Sequence, residues 1–171
     1  TESGLAKWRD GHVPGAQFVD LIDAFSDTAS TVRFTMPSAA EFCRRASALG
    51  IGDDTDVVIY STGSPMWATR LWWMFRSVGF DRCAVLDGGF ARWHAEGRPV
   101  TQDSASFAAA TLTPRPRPTL WANREDMLRT IQQAVGPKAA TLNWMPVEQA
   151  LPRAADFPLW AEGESAGMLA L

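Results

Sequence analysis

The chain has 171 residues, 46% hydrophobic and 20% charged, with a formal net charge of -3 and a pI near 5.3. This apolar content excludes a disordered chain, the length allows one domain or one and a fragment, and no apolar run approaches the about 20 residues of a membrane-spanning helix. The 16 Lys and Arg are spread among 19 Asp and Glu, so neither nucleic acid nor a membrane is an expected partner.

Cys43 and Cys83 stand far apart, in no metal-ligand or CxxC spacing, which argues against a disulfide framework and a metal site. A reducing cytoplasm is the expected compartment, no cofactor is called for, and the N-terminal residues lack the pattern of a signal peptide. Trp67, Trp72, Trp73, Trp93 and Trp121 fall in structured segments and are expected mostly in the core.

Ser38 and Glu41 form a capping box that opens a helix running to about Leu49, with Phe42, Ala46 and Leu49 on one buried stripe. Gly50 and Gly52 end it. Residues 57–60, Val-Val-Ile-Tyr, are a β-branched run that predicts a strand buried on both faces. A loop at 61–65 leads into an apolar helix from Met66 to Val78, stopped by Gly79. A second strand at 83–86, the turn Asp87-Gly88-Gly89 and a helix to Gly97 complete a βαβ pattern, hence a parallel sheet with helices on both faces. Residues 101–118, ending in Pro-Arg-Pro-Arg-Pro, read as an extended linker. Beyond it, Asn123 and Asp126 open a helix to Gly136, and 139–144 is a candidate strand.

Ligands of open parallel sheets collect at the carboxyl ends of strands, so the loop leaving Tyr60 is the first candidate site. Ser61, Thr62, Gly63 and Ser64 are small, Gly63 is expected to need an unusual backbone angle, and the following helix start favours an anion. The alternative is a plain connection in which Ser64 caps the helix and Pro65 is its first residue. Arg70 either points at an anion in the loop or, the stronger expectation, pairs with Asp87. Trp67 is a candidate cleft wall, and His12 and His94 are expected to be structural and surface residues.

The run 11–20, Gly-His-Val-Pro-Gly-Ala-Gln-Phe-Val-Asp, resembles the segment near the start of rhodanese domains. Residues 57–60, 68–76, Gly79 and 85–93, with the Trp72-Trp73 pair and the Leu-Asp-Gly-Gly block, resemble the core of the N-terminal halves of tandem thiosulfate and 3-mercaptopyruvate sulfurtransferases. The resemblance implies an α/β rhodanese-like fold over 1–100, a linker over 101–118, and the start of a second, incomplete half over 119–171. It implies a strand at 17–20 as well.

The family's chemistry needs a cysteine directly after the strand, where loop amides hold its thiolate and persulfide. Here that position is Ser61, and Cys43 and Cys83 fall elsewhere. The implied function is sulfane-sulfur transfer from thiosulfate or 3-mercaptopyruvate to a thiophilic acceptor, with this chain the inactive part of a longer protein. Its expected partners are a small sulfur-containing anion and a catalytic second rhodanese half. The rival is a stand-alone module in which the loop binds an anion or a protein without catalysis.

Overall fold

The computed structural model describes residues 4–135, divided into one compact unit up to Trp121 and a second from Ala122. In the first unit the order is α1 (Gly4–Asp10), α2 (Leu21–Phe25), α3 (Ala39–Ala48), β1 (Val57–Ile59), α4 (Met66–Ser77), β2 (Cys83–Val85) and α5 (Gly89–Ala95). A 3-10 turn at Pro118–Leu120 closes it. The described part of the second unit is α6 (Arg124–Val135). Asn123 and Asp126 cap α6 reciprocally, each side chain accepting the other's backbone N–H at 2.9 and 3.1 Å. The candidate strand at 139–144 lies outside the described residues.

The α3 signal reads out in part: the Ser38 hydroxyl accepts the Glu41 N–H at 3.2 Å, and Phe42, Cys43 and Ala46 are buried, but the Glu41 carboxylate pairs with Arg44 and Arg45 instead of reaching back to Ser38, and Leu49 is only half-buried. β1 and β2 pair in parallel with Val57 opposite Cys83, Val58 opposite Ala84 and Ile59 opposite Val85. Their odd-numbered side chains join a core built on Phe25, Phe42 and Phe75, whose rings lie 4.7 to 6.4 Å apart. Such tilted and edge-on packing suits the aromatic quadrupole.

Three expectations are corrected. Val58 is 63% exposed, so β1 is not buried on both faces: α5 reaches the second face only near Tyr60, 6.1 Å from Phe90. Residues 17–20 form no strand, because Asp20 accepts the amides of Ile22 and Asp23 and turns the chain into α2. None of the five tryptophans is fully buried; Trp67 and Trp121 are exposed, and phenylalanines fill the core instead. Trp72 and Trp93 sit at the edge, where their indole N–H groups donate to the carbonyls of Cys83 and Pro99. The plain-connection alternative for the start of α4 is seen instead: the Ser64 hydroxyl accepts the Met66 N–H, and Pro65 has the helical dihedrals of a first residue.

Residues 102–117 run without helix or strand and are bonded along the first unit as a strap. Ala110 and Leu112 donate to Ser47, Arg115 to the Val78 carbonyl at 2.8 Å, and Arg117 to the Ser77 carbonyl at 2.7 Å. Leu112 is buried. Asp53 accepts the N–H and hydroxyl of Thr113 at 2.9 and 2.7 Å, and Asp81 pairs with Arg76 and Arg117. At the other end of the strap, His12 and Thr101 exchange backbone hydrogen bonds at 2.9 Å.

Candidate functional site

The loop leaving β1 opens with Ser61, whose Oγ donates to the Ser64 carbonyl at 3.0 Å and whose carbonyl accepts the Phe90 N–H of α5. The Ser64 hydroxyl accepts the Met66 N–H at 3.4 Å, the first amide of α4. Gly63 has no neighbour within 4 Å of where a Cβ would stand, and its φ is not in the left-handed region. The expectation of an unusual angle at Gly63 is therefore corrected: the turn closes through the Ser61 and Ser64 side chains.

Arg70 and Asp87 do not pair. The Arg70 guanidinium donates to the Phe34 carbonyl and lies 5.7 Å from that ring's centre, while Asp87 pairs with Arg92. Partial burial of Arg70 lowers its pKa. Phe34 adopts a φ of 63°, rare for a bulky residue, and is held there by Arg33, Arg70 and Trp67 around its ring.

Neither thiol is at the loop. Cys43 is buried in α3, where burial and then the Asp53 charge push its pKa up to about 11. Cys83 opens β2 with its thiol toward the Phe80 carbonyl, and burial raises its pKa as well. A thiol kept protonated by an apolar setting is a poor nucleophile.

His12 is structural, as expected. It is 1% exposed, stacks on Trp8 at 4.1 Å, and turns Nδ1 toward the Trp8 carbonyl and Nε2 toward that of Asp103. His94 is exposed on α5. Among the described residues, no group of His, Cys, Asp and Glu could hold a metal ion, and no helix is long and apolar enough to cross a membrane.

Residues 61–64 and Trp67 line one part of a cavity of about 880 Å3 that also reaches β1, α1 and Phe34. Sequence reasoning missed the α1 and Phe34 walls. A seven-residue helix has too few turns to show a period, and no local signal marks Phe34 as a wall.

Comparison with known proteins bears on the family of the chain. The rhodanese-like domain family model matches residues 4–96. The chain is 37% identical over 140 residues to a thiosulfate sulfurtransferase of Cricetulus griseus, covering 79% of this chain and 43% of that protein. It is 35% identical over 141 residues to a 3-mercaptopyruvate sulfurtransferase of Rattus norvegicus, covering 78% and 47%. The chain thus spans less than half the length of these curated relatives. A crystal structure of SseA from Escherichia coli, described as showing the rhodanese fold of 3-mercaptopyruvate sulfotransferases, superposes with a TM-score of 0.71 at 21% identity, over 85% of this chain and 58% of that one. Tum1 from Saccharomyces cerevisiae gives 0.67 at 18% identity, over 78% and 45%. With a parallel α/β core and a family match over more than half its length, this chain belongs to the rhodanese family.

Proposed function

We propose that this chain is the non-catalytic half of a tandem sulfurtransferase whose other half carries the persulfide. The whole protein would take sulfane sulfur from thiosulfate or 3-mercaptopyruvate and pass it to a thiophilic acceptor such as cyanide or a thiol. One observation carries this reading: the residue that opens the loop after β1 is Ser61, its Oγ tied to the Ser64 carbonyl, with both thiols elsewhere and held protonated. In the transfer step a thiolate attacks the outer sulfur of thiosulfate, sulfite leaves with the electrons of the S–S bond, and cyanide later removes the bound sulfur as thiocyanate. A serine hydroxyl without an adjacent base cannot start that sequence.

The loop is then a vestigial anion seat. Backbone N–H groups over 61–64 do not depend on the side chain at 61, and the start of α4 adds a favourable dipole. Arg70 would join a bound anion only on leaving the Phe34 carbonyl. The two unpaired thiols suit a reducing compartment such as the cytoplasm.

A cyanolysis assay tests the reading: the chain should turn over thiosulfate no faster than its Cys43→Ser, Cys83→Ser double variant, and a rate above that variant's overturns it. In Ser61→Cys, the new thiol should alkylate faster at pH 7 than Cys43 or Cys83 if the seat persists. An introduced thiol as slow as the native two refutes the anion seat but leaves the inactive-half reading standing.

A further inference from the structure

His12 is a buried titratable group that sulfur transfer does not use. It is 1% exposed, and it sits where three segments meet: α1, the run 11–20 and the start of the strap. Its Nδ1 lies 2.8 Å from the carbonyl oxygen of Trp8, four residues before it, and its Nε2 lies 3.1 Å from that of Asp103, 91 positions after it. Its backbone exchanges hydrogen bonds with Thr101, and the Gln102 side chain donates to the Asp10 carbonyl at 2.8 Å. The ring therefore spans the junction between α1 and the strap.

Both partners of the ring are carbonyl oxygens, which accept hydrogen bonds and cannot donate them. A neutral imidazole has one N–H, so in either tautomer one ring nitrogen turns a lone pair toward a carbonyl oxygen. The imidazolium, with two N–H groups, satisfies both contacts. The ring also stacks on the Trp8 indole, with centroids 4.1 Å apart and planes 13° apart, and an indole face attracts a cation. Burial without a countercharge opposes the charged form. The other charged or titratable groups on the surrounding segments are Lys7, Arg9 and Asp10 on α1, Asp20 on the run 11–20, Tyr60 after β1 and Asp103 on the strap. Among the described residues none of these side chains hydrogen-bonds the ring. Asp20 caps α2, the Tyr60 hydroxyl accepts the Val13 N–H, and the Asp103 carboxylate accepts the Thr101 hydroxyl. The two carbonyls and the indole decide what protonation does.

We propose that His12 is a proton-controlled clasp on the strap. Charged, the ring donates to both carbonyls and pins residues 101–103 to α1. On losing a proton to water it keeps the shorter bond, to Trp8 within about one helical turn, and its Nε2 lone pair then opposes the Asp103 carbonyl. Residues 101–103 loosen as pH rises through the range, about pH 5 to 8, in which histidine changes charge. The far end of the strap does not respond, because Asp53 and Asp81 are held below the usual carboxylate range and stay ionised there. The clasp does not rest on the sulfur-transfer reading, since no thiol and no residue of the serine loop takes part in it.

The experiment follows the full, nitrogen-labelled chain from about pH 5 to about pH 8.5, by two-bond proton–nitrogen spectra of its histidine rings and by amide hydrogen exchange. His94, exposed on α5, is the internal reference for a ring without these contacts. At the acid end both His12 ring nitrogens should carry a proton, and at the alkaline end Nδ1 alone should. Across that transition the Thr101 amide, which donates to the His12 carbonyl, should lose about tenfold in protection once the intrinsic pH dependence of exchange is removed. The Arg115 and Arg117 amides, bonded to Val78 and Ser77, should keep theirs. His12→Gln, which offers a donor but no titrating charge, should show no such step; should that variant not fold, the ring spectra of the native chain still decide. A His12 ring in one charge state throughout, a neutral ring protonated at Nε2, Thr101 protection that ignores the ring's charge, or the same step in His12→Gln overturns the proposal.

Discussion

Replacing Gly79 and Gly63 by alanine separates a glycine the structure needs from one it does not. Gly79 follows α4 with φ 88°, and a Cβ there would stand 2.3 Å from the Arg115 carbonyl oxygen and 2.6 Å from the Arg115 Cβ. A non-glycine residue in the left-handed region costs about 1–2 kcal/mol. The strap must also retreat, straining or breaking the bond from Arg115 N–H to the Val78 carbonyl, which adds about 0.5–1.5 kcal/mol. Gly79→Ala should therefore cost about 2–3 kcal/mol. Gly63 has open space around it and no left-handed φ, so Gly63→Ala should be neutral or stabilising by about 0.4–1 kcal/mol through the unfolded chain. Urea unfolding followed by circular dichroism checks both. With a slope of about 1–3 kcal/mol per molar, Gly79→Ala should lower the midpoint by roughly 1–2 M while Gly63→Ala leaves it level or raises it. Equal midpoints for the two variants would refute the argument, because they would mean that the strap is not seated against Gly79.

Phe42→Ala empties a fully buried site between Phe25 and Phe75 and should cost about 3–5 kcal/mol in the same urea experiment. At β1, Ile59→Asp buries an unpaired charge and should unfold the unit, whereas Val58→Asp, on the exposed face, should cost no more than about 1 kcal/mol. Asp53 and Asp81 are held below the usual carboxylate range, the first mainly by the Thr113 N–H and hydroxyl, the second by Arg117. A lowered native pKa gives stability that is present above the unfolded value and lost as pH falls through the native one. The urea midpoint should thus drop below about pH 4, and the drop should shrink in an Asp53→Asn, Asp81→Asn double variant. With its pKa pushed up to about 11, Cys43 should resist a thiol reagent at pH 7 in the native chain and react as urea unfolds it.

Much of the fold was legible in the sequence because its signals are local. The capping box at Ser38 and Glu41, the β-branched run that became β1 and the apolar stretch of α4 each act within about one or two turns, and each element formed within a residue or two of its expected bounds. The position of Ser61 after β1 was likewise a matter of chain order alone. What the tertiary structure decided are the relations between distant segments. Val58 and Ile59 look alike in sequence, yet one faces solvent and the other the core, because which face of a strand is covered depends on helices far along the chain. Arg70 had two partners within reach on paper and took a third, the Phe34 carbonyl, 36 positions away in sequence. The proline-rich segment reads as a spacer by composition, but its amides and Leu112 bind Ser47, Ser77 and Val78, so it is part of the first unit. Composition reports the stiffness of such a segment; whether it is docked depends on donors and acceptors supplied by the surface it crosses.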